Sequence, residues 1–386
     1  MTALTSPSVT FVITSLSLGG TEGQFARLAV GLHSRGYHVR VVCLQNRTAT
    51  VDWLRAKGVA VEVCDAARGH FIRRAAVLVR AVLRLWWQWR RHPPDIVHGV
   101  LAHGYLLAGV ATRLAPLPVF VSSRRSLSHF KARRPGLRLL ERMINRHTSL
   151  VIANSEAVRR DAIRTESLPA ALVDVIYNGV APRLVAEGTR HRVRRQLGTP
   201  ADARVAMCVA NLIHYKGHDV LVSAWHKVVD VVPTAVLWLV GDGPERAQIA
   251  SLVADHRLRG SVVMLGRRTD VPDLLSAADL LVHASRQEGF CNAVLEGMAS
   301  GLPTVATDVG GNAEAVQHDV TGLLVPADNA DQLAAAIVRL LRDAPVASRM
   351  GLAGERRVAE RFSEEHMIQA YDEVYRRLLS ERQRIA

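Results

Sequence analysis

Runs of Val and Ile alternate with helical patterns along the whole chain, and this alternation constrains the fold more than any other feature. Strands that are buried on both faces read as continuous apolar runs, and the helices between them carry one apolar stripe. The sequence therefore predicts an α/β protein of parallel sheets covered by helices. The predicted strands lie near residues 9–14, 39–44, 59–63, 96–100, 119–121, 150–153, 173–176, 204–210, 235–240, 262–265, 279–283, 303–306 and 322–325.

The chain of 386 residues is long enough for two domains of ordinary size. A turn-rich segment, YNGVAP at 177–182, follows a predicted strand and precedes a charged helix predicted at about 190–197. We therefore expect two doubly wound domains, at 1–181 and 182–362, that face a central cleft. A final amphipathic helix within 363–386 is long enough to cross back over the first domain.

The charge is divided unequally between the two halves of the chain. The net charge is +14, but residues 1–190 hold 27 Lys and Arg against 11 Asp and Glu, and residues 191–386 hold 22 against 24. A basic half joined to a near-neutral half predicts that the two domains meet different partners, and that the first faces something anionic. Nucleic acid is one alternative, although the sequence contains no recognised nucleic-acid-binding module.

Several protein classes are disfavoured by the composition. The four cysteines, Cys43, Cys64, Cys208 and Cys291, show no paired spacing, so we expect neither a disulfide framework nor a cysteine metal site. The first residues lack the basic region of a signal peptide, and no apolar run is long enough to span a bilayer. We therefore expect a cytoplasmic protein. If it binds lipid, we expect it to be peripheral on the inner face of the cytoplasmic membrane.

The segment EGFCNAVLE, residues 288–296, carries the most informative chemistry. Gly289 disfavours one continuous helix, so we expect a helix that starts at about Asn292, with that residue as N-cap and Glu296 one turn inside. The backbone N–H groups of Asn292, Ala293 and Val294 would then meet a phosphate. Glu296 could accept hydrogen bonds from two vicinal ribose hydroxyls, while Glu288 and the amides of Gly289 and Phe290 would face an attached sugar.

The two glutamates and the following GMASGLPTVATDVGG resemble the signature of the GT4 family of retaining glycosyltransferases. Other segments resemble the family in the same order along almost the whole chain: LSLGGTE at 16–22, VIYNGV at 175–180, ANLIHYKGH at 210–218, VGDGP at 240–244 and LGRRTDVPDLLSAADLLVHAS at 265–285. The resemblance implies the GT-B fold of two Rossmann-like domains. It also implies transfer of a sugar from a nucleotide donor, most often a UDP-sugar.

The family's residue roles transfer to matching positions of this chain. Glu288 would contact the donor sugar, Glu296 the ribose, and Lys216 the diphosphate, whose departure its positive charge would assist. Gly19 and Gly20 would let the first domain approach the same phosphate. The matching donor segments also contain Asn211 and Arg267, and His103 matches a histidine seen near the acceptor in part of the family.

This chain departs from the family pattern in the phosphate loop. Many members have an Arg where this chain has Asn211 or, in a related variant, Ile213, so one of the two usual cationic contacts is missing or replaced. Arg124 or Arg125, in a loop where other members carry a histidine, is a candidate replacement. In the family, the leaving phosphate helps to deprotonate the acceptor, and neither a protein nucleophile nor a cofactor is needed. We find no DxD motif and expect a metal-independent enzyme.

A basic helix is predicted at residues 71–91, which contain no acid. Arg73, Arg80, Arg84 and Arg91 fall within about 20° of one line along the helix, and Leu78, Val82, Trp86 and Trp89 lie opposite. One interpretation is a helix on an anionic membrane. The other is a helix whose apolar face packs on the first sheet while its arginines are solvated.

We therefore predict a hexosyl- or N-acetylhexosaminyltransferase of bacterial surface polysaccharide biosynthesis that acts on a membrane-associated glycan or lipid-linked acceptor. Two enzyme alternatives share the two-domain scaffold, a sugar-nucleotide epimerase and a phosphorylase. A third alternative is a catalytically silent protein that binds a nucleotide-sugar. A nicotinamide-dependent oxidoreductase is disfavoured, because Gly19, Gly20 and Gly23 do not make the G-x-G-x-x-G spacing.

Overall fold

The computed structural model describes residues 6–17, 19–45, 48–64, 71–115, 119–128, 135–181 and 185–385. These residues form two compact units. Residues 1–179 join with 364–386 in the N-terminal unit, and residues 180–363 form the C-terminal unit.

The N-terminal unit is a doubly wound parallel sheet. Its strands are β1 (Ser8–Ile13), β2 (His38–Cys43), β3 (Ala60–Val63), β4 (Ile96–Val100), β5 (Val119–Arg124), β6 (Leu150–Ala153) and β7 (Val173–Val175). Its helices up to residue 179 are α1 (Gly20–Ser34), α2 (Ala49–Ala56), α3 (Phe71–Arg91), α4 (Ala102–Leu114), α5 (Pro135–Asn145) and α6 (Glu156–Glu166). The strand order is β3-β2-β1-β4-β5-β6-β7, and every neighbouring pair is parallel.

The C-terminal unit repeats this winding. Its strands are β8 (Arg204–Val209), β9 (Ala235–Val240), β10 (Val262–Gly266), β11 (Leu280–His283), β12 (Thr304–Thr307) and β13 (Gly322–Val325). Its helices are α7 (Thr189–Gln196), α8 (His218–Val231), α9 (Arg246–Asp255), α10 (Val271–Ala277), α11 (Asn292–Ala299), α12 (Asn312–Ala315), α13 (Ala330–Arg342) and α14 (Ala344–Arg361). The parallel order β10-β9-β8-β11-β12-β13 places the crossover reversal between β8 and β11, as in a Rossmann sheet.

The last helix, α15 (Glu364–Ile385), belongs to the N-terminal unit. Tyr371 and Tyr375 are fully buried in the core cluster that includes Phe11 and Phe25. The Tyr375 hydroxyl lies 2.6 Å from Nδ1 of His98, whose Nε2 lies 2.7 Å from Ser123 Oγ. His98 is thus a core histidine with both ring nitrogens satisfied, and α15 supplies one of its two partners.

The strand predictions are confirmed throughout the chain. The bounds agree for β4, β6, β9 and β13, and most of the others differ by one residue at one end or both. The helix predicted at 71–91 is α3. The agreement follows from the pattern itself, because a strand buried on both faces requires an uninterrupted apolar run whatever packs against it.

The faces of α3 differ from the membrane interpretation. Trp89 is only 2% exposed and packs in the core with Leu85. Trp86 is half-buried, and its Nε1 donates to the Leu114 carbonyl at 2.7 Å. These two tryptophans therefore belong to the packed face, which agrees with the packing interpretation of the helix, and Trp87 is the exposed one. The side chain of Arg73 lies outside the described residues.

No helix in the described ranges combines the length and hydrophobicity that a membrane span requires.

Candidate active site

The predicted donor residues of the C-terminal unit lie at the point where its sheet changes winding direction. The loops after β8 and β11 leave the sheet beside this reversal, where open α/β sheets bind ligands. Lys216 ends a short 3-10 turn, His214–Lys216, in the first loop. Glu288 lies in the second. The fold thus brings together two predicted catalytic residues that are 72 positions apart.

One carboxylate oxygen of Glu288 is the centre of the site. Lys216 Nζ lies 2.5 Å from Glu288 Oε1, His283 Nε2 lies 2.6 Å from it, and Ser285 Oγ donates to it at 2.7 Å. The side chains of Lys216 and Glu288 are only 15% and 9% exposed, and that of His283 only 1%. Three polar groups therefore converge on one buried oxygen, which we call the Glu288 cluster.

The pKa values in the Glu288 cluster follow from these contacts. Burial alone would raise the pKa of Glu288, but the hydrogen bond with His283 and the charge of Lys216 outweigh it and lower the pKa to about 2. For His283 and Lys216, burial would lower the pKa. For His283, the contacts with Cys291, Cys208 and Glu288 outweigh burial and raise the pKa. For Lys216, mainly the charge of Glu288 outweighs burial and raises the pKa. The carboxylate is thus held ionised by its contacts with His283 and Lys216.

Arg286 joins the two loops that carry Lys216 and Glu288. Its guanidinium binds both oxygens of Asp219 at 2.9 and 2.7 Å, and its Nε donates to Asp328 at 2.6 Å. Nη1 also donates to the His214 carbonyl at 2.7 Å. Because His214 begins the turn that ends at Lys216, Arg286 fixes the position of the lysine relative to the glutamate.

Two glycines allow the loops to approach each other. Gly310 has a φ of +52°, and a Cβ there would lie 1.8 Å from the Glu288 carbonyl oxygen. Gly217 has a φ of +66°, and its Cβ would lie 2.1 Å from the Ala284 carbonyl oxygen. Any side chain at either position would displace the backbone that holds Glu288 or Lys216.

Helix α11 presents the other predicted donor residues. The helix starts at Asn292. We predicted Asn292 as its N-cap, but the N-cap is Cys291, and no side chain caps this end. Asn292, Ala293 and Val294 form the first turn, whose N–H groups lie at the positive end of the helix. Glu296 lies one turn further and is half-buried.

The remaining donor-side predictions lie at different places in the C-terminal unit. Gly289 and Phe290 are buried beside Glu288, and the Phe290 ring packs edge-on against Phe362 with centroids 5.4 Å apart. Asn211 is exposed in the loop after β8. Arg267 is exposed at the end of β10, the edge strand, and is separated from β8 by β9.

Sequence reasoning missed His283, Ser285 and Arg286. The segment HASR, which directly follows a buried apolar run, was the available signal. Polar residues at the carboxyl end of a parallel strand are candidates for a ligand site. What each one contacts depends on Asp219, Lys216 and Glu288, and therefore on the fold.

In the N-terminal unit, Gly19 and Gly20 lie where α1 begins, after β1. Gly19 is the N-cap of α1. A Cβ at Gly19 would meet the carboxylate of Glu22, which also accepts hydrogen bonds from Ser15 and Ser17 at 3.1 Å. A carboxylate therefore already lies at this helix N-terminus, and the missing side chain at Gly19 accommodates it. Phosphate contact by these glycines stays a prediction.

His103 lies in the first turn of α4, after β4, and is exposed. The residue before this helix, Leu101, has φ 60° and ψ 162°, a conformation that costs energy for any residue with a Cβ. Because β1 and β4 flank the winding reversal of this sheet, His103 and Gly19 follow the two strands where a ligand of this unit is expected.

Arg124 and Arg125 have different environments although they are adjacent. Arg124 is 5% exposed, and its Nε and Nη2 donate to the two carboxylate oxygens of Glu166 at 2.8 and 2.7 Å. Nη2 also contacts Asn145 at 3.2 Å. The charge of Arg124 is thus neutralised inside the unit, and a phosphate contact by Arg124 or Arg125 stays a prediction.

A metal site would have one candidate location among the described residues. The ligand atoms of His283, Glu288 and Cys291 lie within 4.8 Å of one another. Lys216 already pairs with the same glutamate oxygen, so a metal cation would have to displace or approach a buried ammonium. Metal independence remains our prediction.

Comparison with known proteins supports the same family through both units. A family model described as "Glycosyl transferase 4-like domain" matches residues 19–179, and one described as "Glycosyl transferases group 1" matches residues 203–343. Each model lies within one compact unit, and together they match well over half of the chain. The chain belongs to the GT4-type glycosyltransferases. The family predicted from the sequence motifs is thereby confirmed.

Two relatives of this GT4-type chain match it over different lengths. It is 30% identical to N-acetyl-alpha-D-glucosaminyl L-malate synthase of Bacillus anthracis over 203 residues, which is 53% of each chain, so the match spans about half of that relative. It is 27% identical to the lipopolysaccharide core biosynthesis glycosyltransferase LpsE of Rhizobium meliloti (strain 1021) over 361 residues, which is 92% of this chain and 94% of LpsE.

Among solved structures, Anabaena Alr3699/HepE in complex with UDP-glucose resembles this GT4-type chain with a TM-score of 0.84 and 25% identity. The match covers 95% of this chain and 98% of the other. The predicted GT-B fold is therefore confirmed.

Proposed function

We propose that this protein transfers a hexosyl or N-acetylhexosaminyl group, with retention of configuration, from a UDP-sugar to a membrane-associated glycan or lipid-linked acceptor. The observation that carries the proposal is the buried pair of Lys216 and Glu288 beside the N-terminus of α11. The UDP-glucose complex of Alr3699/HepE supports the choice of donor, and LpsE supports a polysaccharide acceptor.

Lys216 is proposed to stabilise the departing diphosphate. An ammonium group has three N–H donors, and Glu288 engages one of them here. The other two are then available for phosphate oxygens, and the first turn of α11 adds the positive end of a helix. Charge that develops on the leaving group would meet a pre-positioned cation, which is the kind of assistance that lowers the barrier for such a transfer.

Glu288 and Glu296 are proposed to hold the two ends of the donor. Glu288 is ionised and fixed by its three contacts, so it can accept hydrogen bonds from sugar hydroxyls through its second oxygen. Glu296, one turn inside α11, would accept from the ribose. The reaction is proposed to need neither a metal nor another cofactor.

A panel of UDP-, GDP- and ADP-sugars, incubated with the protein and a membrane extract, tests this proposal. We expect release of nucleoside diphosphate with one donor class, and loss of at least ~10²-fold of that activity in Lys216→Ala, because one preorganised charge contact is worth about this factor. Lys227→Ala is the matched control, since Lys227 is an exposed lysine of the same unit that pairs with Asp331.

The same assay separates the alternatives. A phosphorylase would require inorganic phosphate or a sugar 1-phosphate, and an epimerase would convert the donor without an acceptor. If Lys216→Ala and Glu296→Ala were as active as the wild type, the assignment of Lys216 and Glu296 to the donor site would be wrong. Binding of a nucleotide-sugar without turnover of any donor would leave the catalytically silent alternative.

The membrane part of the proposal rests on the exposed apolar face of α3, which differs from the face that contains Trp86 and Trp89. Val79, Leu83 and Trp87 are 57%, 52% and 51% exposed at successive helical turns. The arginines of the same helix follow beside them, with Arg80, Arg84 and Arg91 all exposed. An apolar stripe beside cationic side chains suits an anionic lipid surface. Neighbouring helices add Leu114 of α4 and Leu139 and Met143 of α5, which are also more than half exposed.

Vesicle flotation tests the membrane surface. We expect binding to vesicles that contain anionic phosphatidylglycerol, less binding at high salt, and at least ~10-fold weaker binding of the double variant Leu83→Glu/Trp87→Glu, because two apolar groups would leave the interface. Leu352→Glu in α14 is a matched control, since Leu352 is 53% exposed in the other unit. Binding that is equal for all these proteins, or indifferent to lipid charge, would leave α3 as a packing helix with solvated arginines.

A further inference from the structure

Arg125 is a cation that has no acidic partner among the described residues. It follows β5 directly, at the carboxyl edge of the sheet of the N-terminal unit. Its Nη2 donates to Asn178 Oδ1 at 2.5 Å, and its guanidinium lies 5.0 Å from the centre of the Phe25 ring. Nε and Nη1 are closed off from solvent and have no hydrogen-bond partner in the described part of the chain. Neither an Asp nor a Glu of that part pairs with Arg125.

The groups that face Arg125 do not supply a negative charge. The hydroxyl of Tyr371, from α15, is buried beside Arg125 and interacts with its charge, but the two groups do not reach hydrogen-bond geometry. Burial raises the pKa of Tyr371, so this phenol is neutral. Burial, assisted by the charge of Arg125, lowers the pKa of His98 to about 3, so this imidazole is neutral as well.

An uncompensated buried cation is costly. Removing a charge from water carries a penalty that an opposite charge normally offsets, as Glu166 does for the adjacent Arg124. Burial lowers the pKa of Arg125. The guanidinium nevertheless stays protonated, because the ordinary pKa of arginine lies far above neutral pH. Its two unpartnered nitrogens form a planar fork that matches two oxygens of one phosphate.

We infer that Arg125 is a phosphate-binding residue of the N-terminal unit. The inference rests on the proposed function, which supplies two sources of such a group. One is the diphosphate of the nucleotide donor, and the other is a phosphate of a lipid-linked acceptor. In either case the phosphate supplies the counter-charge that Arg125 lacks among the described residues.

Two calorimetric titrations of the full-length protein distinguish the sources. UDP is titrated alone, and inorganic pyrophosphate is titrated into protein saturated with UDP. A loss of ~10–100-fold in UDP affinity in Arg125→Gln, the range expected for one charge-assisted contact, assigns the donor diphosphate. A similar loss of pyrophosphate affinity in the UDP-saturated protein assigns a second phosphate, that of the acceptor. Unchanged affinity in both titrations overturns the inference.

Matched variants separate binding from folding. Arg160→Gln removes an exposed arginine of α6 in the same unit and should leave both affinities unchanged. Arg125→Lys keeps the charge and should retain part of the affected affinity. Without ligand, Arg125→Gln should melt at or above the temperature of the wild type, because an uncompensated charge is removed. A lower melting temperature with both affinities unchanged would make Arg125 a structural residue and overturn the inference.

Neither titration requires turnover. A negative donor panel would therefore overturn the proposed function and leave the test of Arg125 intact.

Discussion

At the scale of single residues, the Glu288 cluster shows how environment decides the role of a common side chain. Among the described residues, lysine forms two ion pairs with carboxylates: the pair of Lys216 and Glu288 is almost closed to solvent, whereas Lys227 and Asp331 pair on the surface. A surface pair contributes little to stability, and removing one partner of a buried pair leaves an uncompensated charge.

We therefore predict a non-additive response to mutation of the buried pair. Lys216→Met and Glu288→Gln should each lower the free energy of unfolding by about 3 kcal/mol, and the double variant should lose clearly less than the sum, because no unpaired charge remains. Urea denaturation of the four proteins measures the coupling. Strict additivity would mean that the two charges do not stabilise each other.

The roles of side chains that depend on tertiary contacts could not be predicted from the sequence. The motif located Glu288 and Lys216, but it could not distinguish Arg124 from Arg125, because Glu166, which neutralises Arg124, lies 42 positions away. His283 and Ser285 were missed for the same reason. Their contacts are set by tertiary structure, and no local pattern encodes them.

At the scale of elements, α5 contains a carboxyl group that the mechanism does not use. Glu141 is 3% exposed, and the Tyr105 hydroxyl donates to it. Burial, with a further contribution from the charge of Glu166, raises the pKa of Glu141 to about 8. The helix thus keeps a protonated carboxyl group in its packed face at neutral pH.

A pH-dependent loss of stability follows. The folded pKa lies above the unfolded value, so the folded protein binds more protons between about pH 4.5 and 8. This stabilising contribution is complete below pH 4.5 and is lost as the pH rises through 8. Glu141→Gln should therefore remove a decline on the order of 5 kcal/mol in unfolding free energy over that range.

Chemical denaturation at pH 5 and pH 8 measures this decline in the wild type and in Glu141→Gln. Glu187→Gln, at an exposed glutamate, is the control and should keep the slope of the wild type. A Glu141→Gln variant with an unchanged slope would contradict a protonated Glu141.

Elements also mark the division between what the sequence predicts and what it does not. Strand bounds followed from apolar runs, so β4 and β9 were predicted residue for residue. The faces of α3 were only partly predicted, because Leu78, Leu85, Trp86 and Trp89 satisfy a helical apolar stripe whether the partner is a sheet or a lipid. The start of α11 at Asn292 was predicted, but its N-cap was not, since Cys291 takes the position where Asn292 is the better capping residue.

At the scale of the whole molecule, the two units are built differently along the chain. The C-terminal unit is one continuous segment, 180–363, whereas the N-terminal unit combines 1–179 with 364–386. The segment 364–386 supplies Tyr371 and Tyr375 to the N-terminal core, and each large buried side chain contributes roughly 1.5–3 kcal/mol.

Fragments should therefore behave unequally. Residues 180–363 expressed alone should unfold in one cooperative transition, because their core is complete. Residues 1–179 alone should lack a cooperative transition and gain one when a peptide of residues 364–386 is added. Calorimetry and near-ultraviolet circular dichroism report both, and a peptide with Tyr371→Ala/Tyr375→Ala is the control. Cooperative unfolding of 1–179 without the peptide would show that α15 is dispensable.

The division of the N-terminal unit also sets the order in which the protein is made. A ribosome translates residues 180–363 before it reaches Glu364, so α15 is made after the whole C-terminal unit. The half of the molecule that is translated first is therefore the half that is completed last. Until α15 has been made, the core of the basic half is incomplete, and a messenger RNA cut before the codon of Glu364 would give an intact C-terminal unit beside an unfinished N-terminal one.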